Sequence, residues 1–292
     1  MIKSILELIV SLLKIFAISL NTVIVVAMFN KKVFPLLLFS ILIISLVLLL
    51  LVNSHFSIFQ NKKILDVSKS KKSDFTFVFV GDSMTEYLGN FDELRDYLKK
   101  YYPNNNFLLL NYGFSSTNIL SAQERLEKES THSGRAFQAI SDIPFDLIFI
   151  ESFGHNPLSE YNLQEGLKLQ NKALDKIIET ILKKHSKSSI VFIATIAPNK
   201  ERYGEGVVSL TTDKRGEWAQ ERIAYIKNHI TYAKAHNIPL INIFEKSLDK
   251  NGSGNIHYIN TNDFIHPSPT GIYFISEEIA KFLHENNLQG IN

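Results

Sequence analysis

The sequence predicts an α/β protein with three layers, α/β/α, in which helices cover both faces of a parallel β-sheet. Short apolar runs rich in β-branched and aromatic residues alternate with longer segments that have the apolar spacing of helices. Such alternation is typical of strand–helix–strand units, which build parallel sheets. The predicted strands are Phe75–Val80, Phe107–Asn111, Asp146–Glu151, Ile190–Thr195 and Pro239–Phe244.

The predicted helices lie between these strands, and one more follows the last strand. They are Glu86–Tyr101, Ile119–Glu129, Leu163–His185, Gly216–His236 and Gly271–Glu285. Five strands connected in this way suit a five-stranded, flavodoxin-like parallel sheet with right-handed crossovers. Ligands bind such sheets at the carboxyl ends of the strands, so the residues that follow each strand are the first candidates for a functional site.

A second part of the chain precedes these elements and has the composition of a membrane segment. Val33–Val52 contains no charged residue in 20 positions. At about 1.5 Å per residue, a helix of this length matches a hydrocarbon core of roughly 30 Å. The run is longer, and starts later, than the apolar core of a cleaved signal peptide. We therefore predict a transmembrane helix over about residues 33–52.

Ile5–Phe29 is apolar as well, but it contains Glu7 and Lys14. A lysine at mid-span costs about 2.5–3.5 kcal/mol of insertion free energy. Two interpretations stay open: a first transmembrane helix over about residues 8–30, or an amphipathic helix in the membrane interface. In both, membrane lipid is a partner. The predicted division of the chain is a membrane region at 1–53, a basic tether at 54–73 and a globular domain at 74–292.

Charge and cysteine content exclude several classes of function. Nine of the 31 Lys and Arg residues precede Ser73, which leaves 22 in the globular domain against 27 acidic residues. This mildly acidic balance argues against a nucleic-acid-binding surface, which needs clustered basic residues. The chain has no Cys, so disulfides, thiolate metal sites and cysteine nucleophiles are excluded.

Ser83 is the first candidate for chemistry, because it follows the first predicted strand within the sequence Gly81-Asp82-Ser83. A strand that ends in a tight glycine turn and enters a helix leaves its last side chains at the carboxyl edge of the sheet. A serine there lies near helix-terminal N–H groups, which can stabilise negative charge. Taken alone, the three residues describe an ordinary N-cap turn equally well.

Three further polar motifs fall at the same predicted edge. They are Asn111-Tyr112-Gly113 after the second strand, Gly154-His155-Asn156 after the third, and Asp263–Pro267 before the last helix. Each alone has a structural explanation, as a glycine turn, an Asn-Pro turn or a helix cap. Together with the serine turn, in this order, they resemble the SGNH hydrolases, also called the GDSL esterase/lipase superfamily. The resemblance extends over about residues 74–288.

The resemblance implies a serine esterase. Hydrolysis through an acyl-enzyme needs a hydroxyl nucleophile, a base and a group that orients the base. The matching motif positions assign these roles to Ser83, His266 and Asp263. The oxyanion needs hydrogen-bond donors, which the same motifs assign to the N–H groups of Ser83 and Gly113 and to the side-chain amide of Asn156. No cofactor is implied, and the remaining histidines lack metal-ligand spacing.

Two positions depart from the family pattern. Pro157 follows Asn156, where the family usually has an aspartate, which puts substrate contacts and loop shape in doubt more than hydrolysis. Ser116 stands where a second glycine is often found, and its side chain narrows the approach of substrate to the backbone. Asp82 precedes the serine as the family pattern expects, and we predict that it braces the turn.

The sequence says least about the substrate. The segment Ala197–Thr212 follows the fourth strand at the same edge, so Arg202 and Tyr203 are candidates for holding a polar or sugar group, although a solvated loop is the simpler expectation. A membrane tether favours O-acyl or O-acetyl esters on cell-envelope carbohydrate, followed by lysophospholipid. Transfer of the acyl group to another polymer would use the same acyl-enzyme. A non-catalytic binding module is the remaining class, against which the complete set of triad residues argues.

The side of the membrane on which the domain lies is not decided by lysine counts. If both apolar stretches span, the charge rule nominally leaves the domain in the cytoplasm, and if one spans, the tether lysines oppose the N-terminal ones. The expected envelope substrate favours the outer face. We therefore predict an integral membrane protein with an extracytoplasmic catalytic domain.

Overall fold

The computed structural model describes residues 73–287. The two predicted membrane helices and nearly all of the predicted tether lie outside the described residues, so these assignments stay predictions. Within residues 73–287, no helix combines the length and the apolar character needed to cross a bilayer.

Five parallel strands form one sheet in the order β2-β1-β5-β6-β7, which confirms the predicted α/β fold with a five-stranded parallel sheet. At the carboxyl edge, Gly81 pairs with Gly113 and Glu151 pairs with Ile193, so the residues that follow these strands emerge side by side. Two short strands, β3 and β4, pair with each other in a separate hairpin. The strands are β1 Phe75–Gly81, β2 Phe107–Gly113, β3 Ser130–His132, β4 Arg135–Phe137, β5 Leu147–Glu151, β6 Ser189–Ala194 and β7 Leu240–Asn242.

Helices cover both faces of the sheet, as the sequence predicts. Side chains alternate along each strand, so Phe77 and Phe79 pack with α2 and α7, whereas Val78 and Val80 pack with α3, α4 and α5. Three-residue 3₁₀ turns lie between some of the elements. The helices are α1 Ser83–Glu86, α2 Asp92–Tyr101, α3 Ala122–Glu127, α4 Leu163–Lys184, α5 Thr212–Ala235, α6 Ile243–Lys246 and α7 Pro269–Asn286.

The predicted helix Glu86–Tyr101 is in fact two helices, α1 and α2, which a turn separates. Gly89 and Phe91 in this turn have positive φ angles of 57° and 61°. A residue with a left-handed backbone conformation ends a helix. At Phe91 this conformation also places the side chain against Phe79, with 4.3 Å between the ring centroids. Burial of that ring opposes the strain of a non-glycine residue at positive φ. The break leaves α1 as a short, separate helix that begins at Ser83.

Three other predicted elements differ from the observed ones. The predicted helix Ile119–Glu129 begins as a 3₁₀ turn and is helical only in α3. The predicted strand Pro239–Phe244 is reduced to β7, because the Asn242 side chain accepts from the N–H of Glu245 at 3.2 Å and caps α6. Helix α5 starts four residues before the prediction, since the Thr211 side chain caps it through the N–H of Lys214.

Candidate active site

Ser83 is the first residue of α1, and only Asp82 separates it from the end of β1. The Asp82 side chain caps this helix by accepting from the N–H of Met84 at 2.8 Å. A Cβ on Gly81 would lie 2.0 Å from Thr85 Oγ1, so only glycine lets the strand and the helix pack this closely. Ser83 is only 6% exposed, so the turn that carries it is not open to solvent. The serine therefore lies recessed at the carboxyl edge of the sheet.

Asp263 and His266 lie together in the loop before α7. The Nδ1 atom of His266 is 2.9 Å from Asp263 Oδ2. The other carboxylate oxygen accepts from the backbone N–H groups of Ile265 and His266 at 2.8 and 3.0 Å. Partial burial raises the pKa of Asp263, but these hydrogen bonds outweigh burial and hold the pKa below its usual value. Asp263 is thus an ionised, fixed acceptor for the imidazole.

The His266 ring lies over the helix that Ser83 begins. It stacks on the ring of Tyr87 with 3.9 Å between centroids and 2° between planes. Tyr87 is fixed one turn after the serine, because its N–H donates to the Ser83 carbonyl at 2.9 Å. Within residues 73–287, no hydrogen bond joins the Ser83 hydroxyl to His266 in this conformation. Such bonds often tighten only when substrate binds. No sequence motif indicated Tyr87, although its spacing of four residues from Ser83 places both on one helix face.

Asn156 is held beside the serine turn by Asp82. Its side-chain Nδ2 donates to Asp82 Oδ2 at 3.0 Å. This contact uses one of the two amide N–H groups and leaves the other for a ligand, since no other part of the described chain accepts from it. The brace predicted for Asp82 is present, and it reaches Asn156 as well as the turn. The role of Asn156 as an oxyanion donor stays a prediction.

Removal of the Asn156 amide gives a direct measure of that role. We expect Asn156→Ala to lower kcat by about 10²–10³-fold, the usual effect of losing one oxyanion donor, with little change in KM. The measurement is steady-state hydrolysis of a short-chain ester. Asn171→Ala on α4 is the control, because Asn171 is a partly buried asparagine whose side chain is also hydrogen-bonded, its amide oxygen accepting from Asn228 Nδ2. A change confined to KM would make Asn156 a substrate-binding residue instead.

Gly113 lies at the end of β2, but its N–H is occupied. It donates to the Asn111 side-chain oxygen at 2.8 Å. A Cβ at this position would lie 2.2 Å from the backbone nitrogen of Glu86, so glycine is required for β2 to approach α1. The N–H of Ser83, in contrast, has no intrahelical acceptor because Ser83 begins its helix. In this conformation the donors next to the serine are therefore Ser83 and Asn156, and the predicted donor role of Gly113 requires its bond to Asn111 to open.

A pair of buried carboxylates lies beneath the serine turn. The N–H of Asp82 is 3.4 Å from Glu151 Oε2, and Ser152 Oγ donates to Glu151 Oε1 at 2.6 Å. Burial raises the pKa of both carboxyls, and the neighbouring Asp82 charge raises that of Glu151 further. The sequence placed Glu151 only as the last residue of a strand. Its signal was an acidic residue that directly follows the four apolar residues 147–150.

Arg125 is the buried cation of the same region. Its Nη1 donates to the carbonyl oxygens of Gly81 and Tyr112, at 2.7 Å each. Burial lowers the pKa of Arg125 to about 10, against the attraction of the two carboxylates, so the side chain is charged at neutral pH. Arg125 thereby ties the carboxyl ends of β1 and β2 together, and no motif in the sequence indicated it.

The buried carboxylate pair should make folding stability depend on pH. A carboxyl whose pKa is raised in the folded state favours folding while it is protonated. That contribution to stability is lost as the pH rises above the pKa of the same carboxyl in the unfolded state, near 4.5. We therefore expect the melting temperature of Glu151→Gln, relative to the wild type, to increase steadily from pH 5 to pH 8. The control is Glu179→Gln, an exposed glutamate on α4, which should follow the wild type. If the melting temperatures of Glu151→Gln and the wild type change with pH in parallel, the raised pKa of Glu151 is contradicted.

Arg202 and Tyr203, the two candidates for holding a polar or sugar group in a loop otherwise expected to be solvated, have different surroundings. Tyr203 is only 2% exposed, so it is part of the interior. The Arg202 guanidinium lies 3.8 Å from the centroid of the Phe264 ring and bonds to Glu205 at 2.6 Å. Arg202 is therefore next to the loop of Asp263 and His266, whereas Tyr203 points away from solvent.

An open groove of about 990 Å³ lies elsewhere, between the end of α4 and the end of α5. Residues that line it include Ser188 and Ile190 at the start of β6 and Pro239 before β7, so it is at the amino edge of the sheet. None of the predicted site residues lines it. Within residues 73–287 no cluster of three or more His, Asp or Glu side chains is arranged to hold a metal ion.

Comparison with known proteins supports the fold. No protein-family model matches the sequence, and the search of curated proteins found no match. Solved structures do match. A lipase/acylhydrolase from Enterococcus faecalis has 17% identity and a TM-score of 0.50, with 72% of this chain and 96% of that chain covered. The fold of residues 73–287 is the GDSL hydrolase fold.

Two further solved structures share this fold at similar sequence identity. A GDSL-like lipase from Bacteroides thetaiotaomicron has 15% identity and a TM-score of 0.50, covering 80% of this chain and 97% of that chain. An acetyl xylan esterase has 15% identity and a TM-score of 0.50, covering 70% of this chain and 98% of that chain. These matches have the fold that the resemblance of the four motifs implies. At such identities they establish the GDSL hydrolase fold alone.

Proposed function

We propose that this chain is a membrane-anchored serine ester hydrolase that cleaves O-acyl or O-acetyl esters on cell-envelope carbohydrate. The observation that carries the proposal is the Asp263–His266 pair, joined at 2.9 Å, whose imidazole lies over the helix that Ser83 begins. A hydroxyl, an imidazole and an ionised carboxylate at the carboxyl edge of an α/β sheet are the groups that acyl transfer needs.

The reaction begins with attack of Ser83 Oγ on the ester carbonyl carbon. His266 Nε2 takes the hydroxyl proton, while Asp263 holds Nδ1–H and stabilises the imidazolium. The Ser83 N–H and the free Asn156 N–H stabilise the oxyanion of the tetrahedral intermediate. His266 then returns its proton to the leaving alkoxide, which departs as the alcohol. Water attacks the acyl-enzyme by the same route, releasing the carboxylic acid and restoring the serine.

The surroundings of Ser83 support a short acyl group. Gly81 and Gly113 pack so closely on α1 that a single Cβ would overlap its atoms, which leaves no room for a long chain on that side of the helix. Tyr87 is 41% exposed and offers an aromatic face beside His266, a surface suited to a sugar ring. The fold also carries the acetyl xylan esterase. We therefore favour acetyl esters of carbohydrate over lysophospholipid.

The substrate proposal is tested with the full chain in detergent. Hydrolysis of p-nitrophenyl acetate should exceed that of the decanoate ester by at least about tenfold in kcat/KM, because the long chain lacks space. Acetylated polysaccharide should release acetate, and lysophospholipid should release little fatty acid. A preference for the long chain would favour the lipid substrate instead. Appearance of the acetyl group on an added acceptor sugar, without free acetate, would identify an acyltransferase.

The anchor rests on the sequence of Val33–Val52, a 20-residue run without charge. We propose that it holds the protein in the membrane, with the domain of residues 74–292 outside the cytoplasm. Protease added to intact cells should then cut within residues 54–73 and release an active domain. A domain that is released only after the membrane is permeabilised would be cytoplasmic, and the envelope substrate would be ruled out.

A further inference from the structure

His155, next to Asn156, has a single protonation state and tautomer in this fold. It is 5% exposed, and burial lowers its pKa to about 3, so the ring is neutral. Its Nε2 lies 3.3 Å from the carbonyl oxygen of Ile196, which can only accept, so Nε2 carries the hydrogen. Nδ1 is then an acceptor, and it lies 3.2 Å from the hydroxyl of Tyr203. Tyr203 therefore donates to the residue beside the Asn156 amide.

Tyr203 is itself held firmly. Burial raises its pKa to about 12, so its hydroxyl keeps its hydrogen at neutral pH. Its carbonyl oxygen accepts from Arg215 Nη1 at 3.0 Å, and the Arg222 guanidinium lies 5.3 Å from its ring centroid. Both arginines belong to α5. Tyr203 thus connects His155 to a 24-residue helix.

Arg202, the residue before Tyr203, contacts the loop that carries Asp263 and His266. Arg202 lies over the Phe264 ring, one residue from Asp263. A Cβ on Gly206 would be 2.9 Å from the Asn262 carbonyl oxygen, so the two backbones touch there as well. Phe264 has a φ angle of 51°, a left-handed conformation that needs support from its surroundings in a non-glycine residue. Arg202 packs on that ring.

The segment that contains both residues is anchored at each end. Asn199 Nδ2 donates to the Gly254 carbonyl oxygen at 2.9 Å, and Asn199 Oδ1 accepts from the N–H of Arg202 at 3.0 Å. At the other end, Arg215 Nη2 donates to the Val208 carbonyl oxygen at 3.0 Å. Residues 199–208, the clamp segment, are therefore fixed independently of the two loops that they touch.

We propose that the clamp segment sets the distance between the proposed oxyanion amide and the proposed base. Tyr203 positions Asn156 through His155, and Arg202 positions the Asp263–His266 loop through Phe264. Neither residue touches the reacting atoms, so both are positioning residues. This inference rests on the proposed function, and it assigns to the segment after β6 a part in catalysis rather than in substrate binding.

The test replaces Tyr203 with phenylalanine, which removes the hydroxyl and keeps the ring. Misplacement of Asn156 should lower kcat about 10- to 100-fold, less than Asn156→Ala, with KM close to the wild-type value. His155→Gln, which can still donate to Ile196 and accept from Tyr203, should retain more activity than His155→Leu. A loss confined to KM in Tyr203→Phe would overturn the proposal, as would equal kcat values for the two His155 variants.

His229 supplies the matched control. It is a second buried histidine whose pKa burial lowers to about 3, but its ring stacks on Phe192, 4.2 Å between centroids, and has no contact with Asn156. His229→Gln should leave kcat unchanged even if it alters stability. If it reduces kcat as much as Tyr203→Phe does, the effect is one of general destabilisation, and the proposal fails.

A second readout does not depend on turnover. In full-length protein with ¹⁵N-labelled asparagine in nanodiscs, the Asn156 side-chain amide signal is identified by its loss in Asn156→Ala. Tyr203→Phe should shift this signal, and His229→Gln should not. An unshifted signal in Tyr203→Phe overturns the proposal. If the wild type hydrolyses no ester, the proposed function fails, and the amide signal alone decides whether Tyr203 positions Asn156.

Discussion

Ser83→Ala should abolish ester hydrolysis while leaving the protein folded. Without the hydroxyl no acyl-enzyme forms, and we expect kcat to fall by about 10⁴–10⁶-fold, to the level that oxyanion donors and binding alone can support. Ser83 makes no side-chain hydrogen bond within the described part of the chain, so its loss leaves no buried partner unpaired. The measurement is kcat with p-nitrophenyl acetate, together with the melting temperature of each protein.

The control for this variant is Ser276→Ala. Ser276 is a buried serine on α7, only 1% exposed, and it belongs to none of the four motifs. It should retain wild-type turnover. If Ser83→Ala also keeps turnover while remaining folded, another residue is the nucleophile, or the ester is cleaved without an acyl-enzyme.

The second large effect is expected at Asp263 and His266. His266→Ala removes the base and should reduce kcat nearly as much as Ser83→Ala. Asp263→Asn keeps the shape but can present an N–H to Nδ1, which turns Nδ1 into the acceptor and leaves the hydrogen on Nε2. An Nε2 that already carries hydrogen cannot take the serine proton, so we expect a loss of about 10⁴-fold. Steady-state kinetics of both variants measure these losses, and His284→Ala, an exposed histidine on α7, is the control.

The same pair determines the pH dependence. Asp263 has its pKa held below the usual value, so it is already ionised at pH 5 and does not titrate above that. The base must be neutral to accept the serine proton, so only the uncharged imidazole of His266 is active. The wild-type rate should therefore rise with pH between pH 5 and pH 8 and then level off. A flat profile from pH 5 to pH 8 would contradict the assignment of His266 as the base.

The sequence predicts the features of this domain that depend on neighbouring residues in the chain. The strands are short apolar runs, and their carboxyl ends locate Ser83, Gly113 and Asn156 at one edge. Asp263 and His266 are three residues apart, so their contact is local, and the loop brings them to 2.9 Å as the spacing suggests. Thr211 is also a local signal, an N-cap that would have placed the start of α5 correctly.

Features that depend on distant residues could not be read in this way. Asn156 binds Asp82 across 74 positions, and His155 binds Tyr203 across 48. The residues next to Asn156 and His155 in the chain do not indicate these partners. The break before α2 depends on burial of Phe91 against Phe79, which overrides the helical spacing. The β3–β4 hairpin has strands of three residues with mostly polar side chains, too short to produce an alternating pattern.

The most direct test of the proposed mechanism is covalent labelling. A fluorophosphonate reacts with a serine only when a base activates the hydroxyl and donors stabilise the phosphoryl oxygen. Peptide mass spectrometry of the labelled full chain should find one adduct, on Ser83, and His266→Ala should label far more slowly. An adduct on another residue, equal labelling of Ser83→Ala, or no adduct on the wild type would contradict a serine nucleophile at this site.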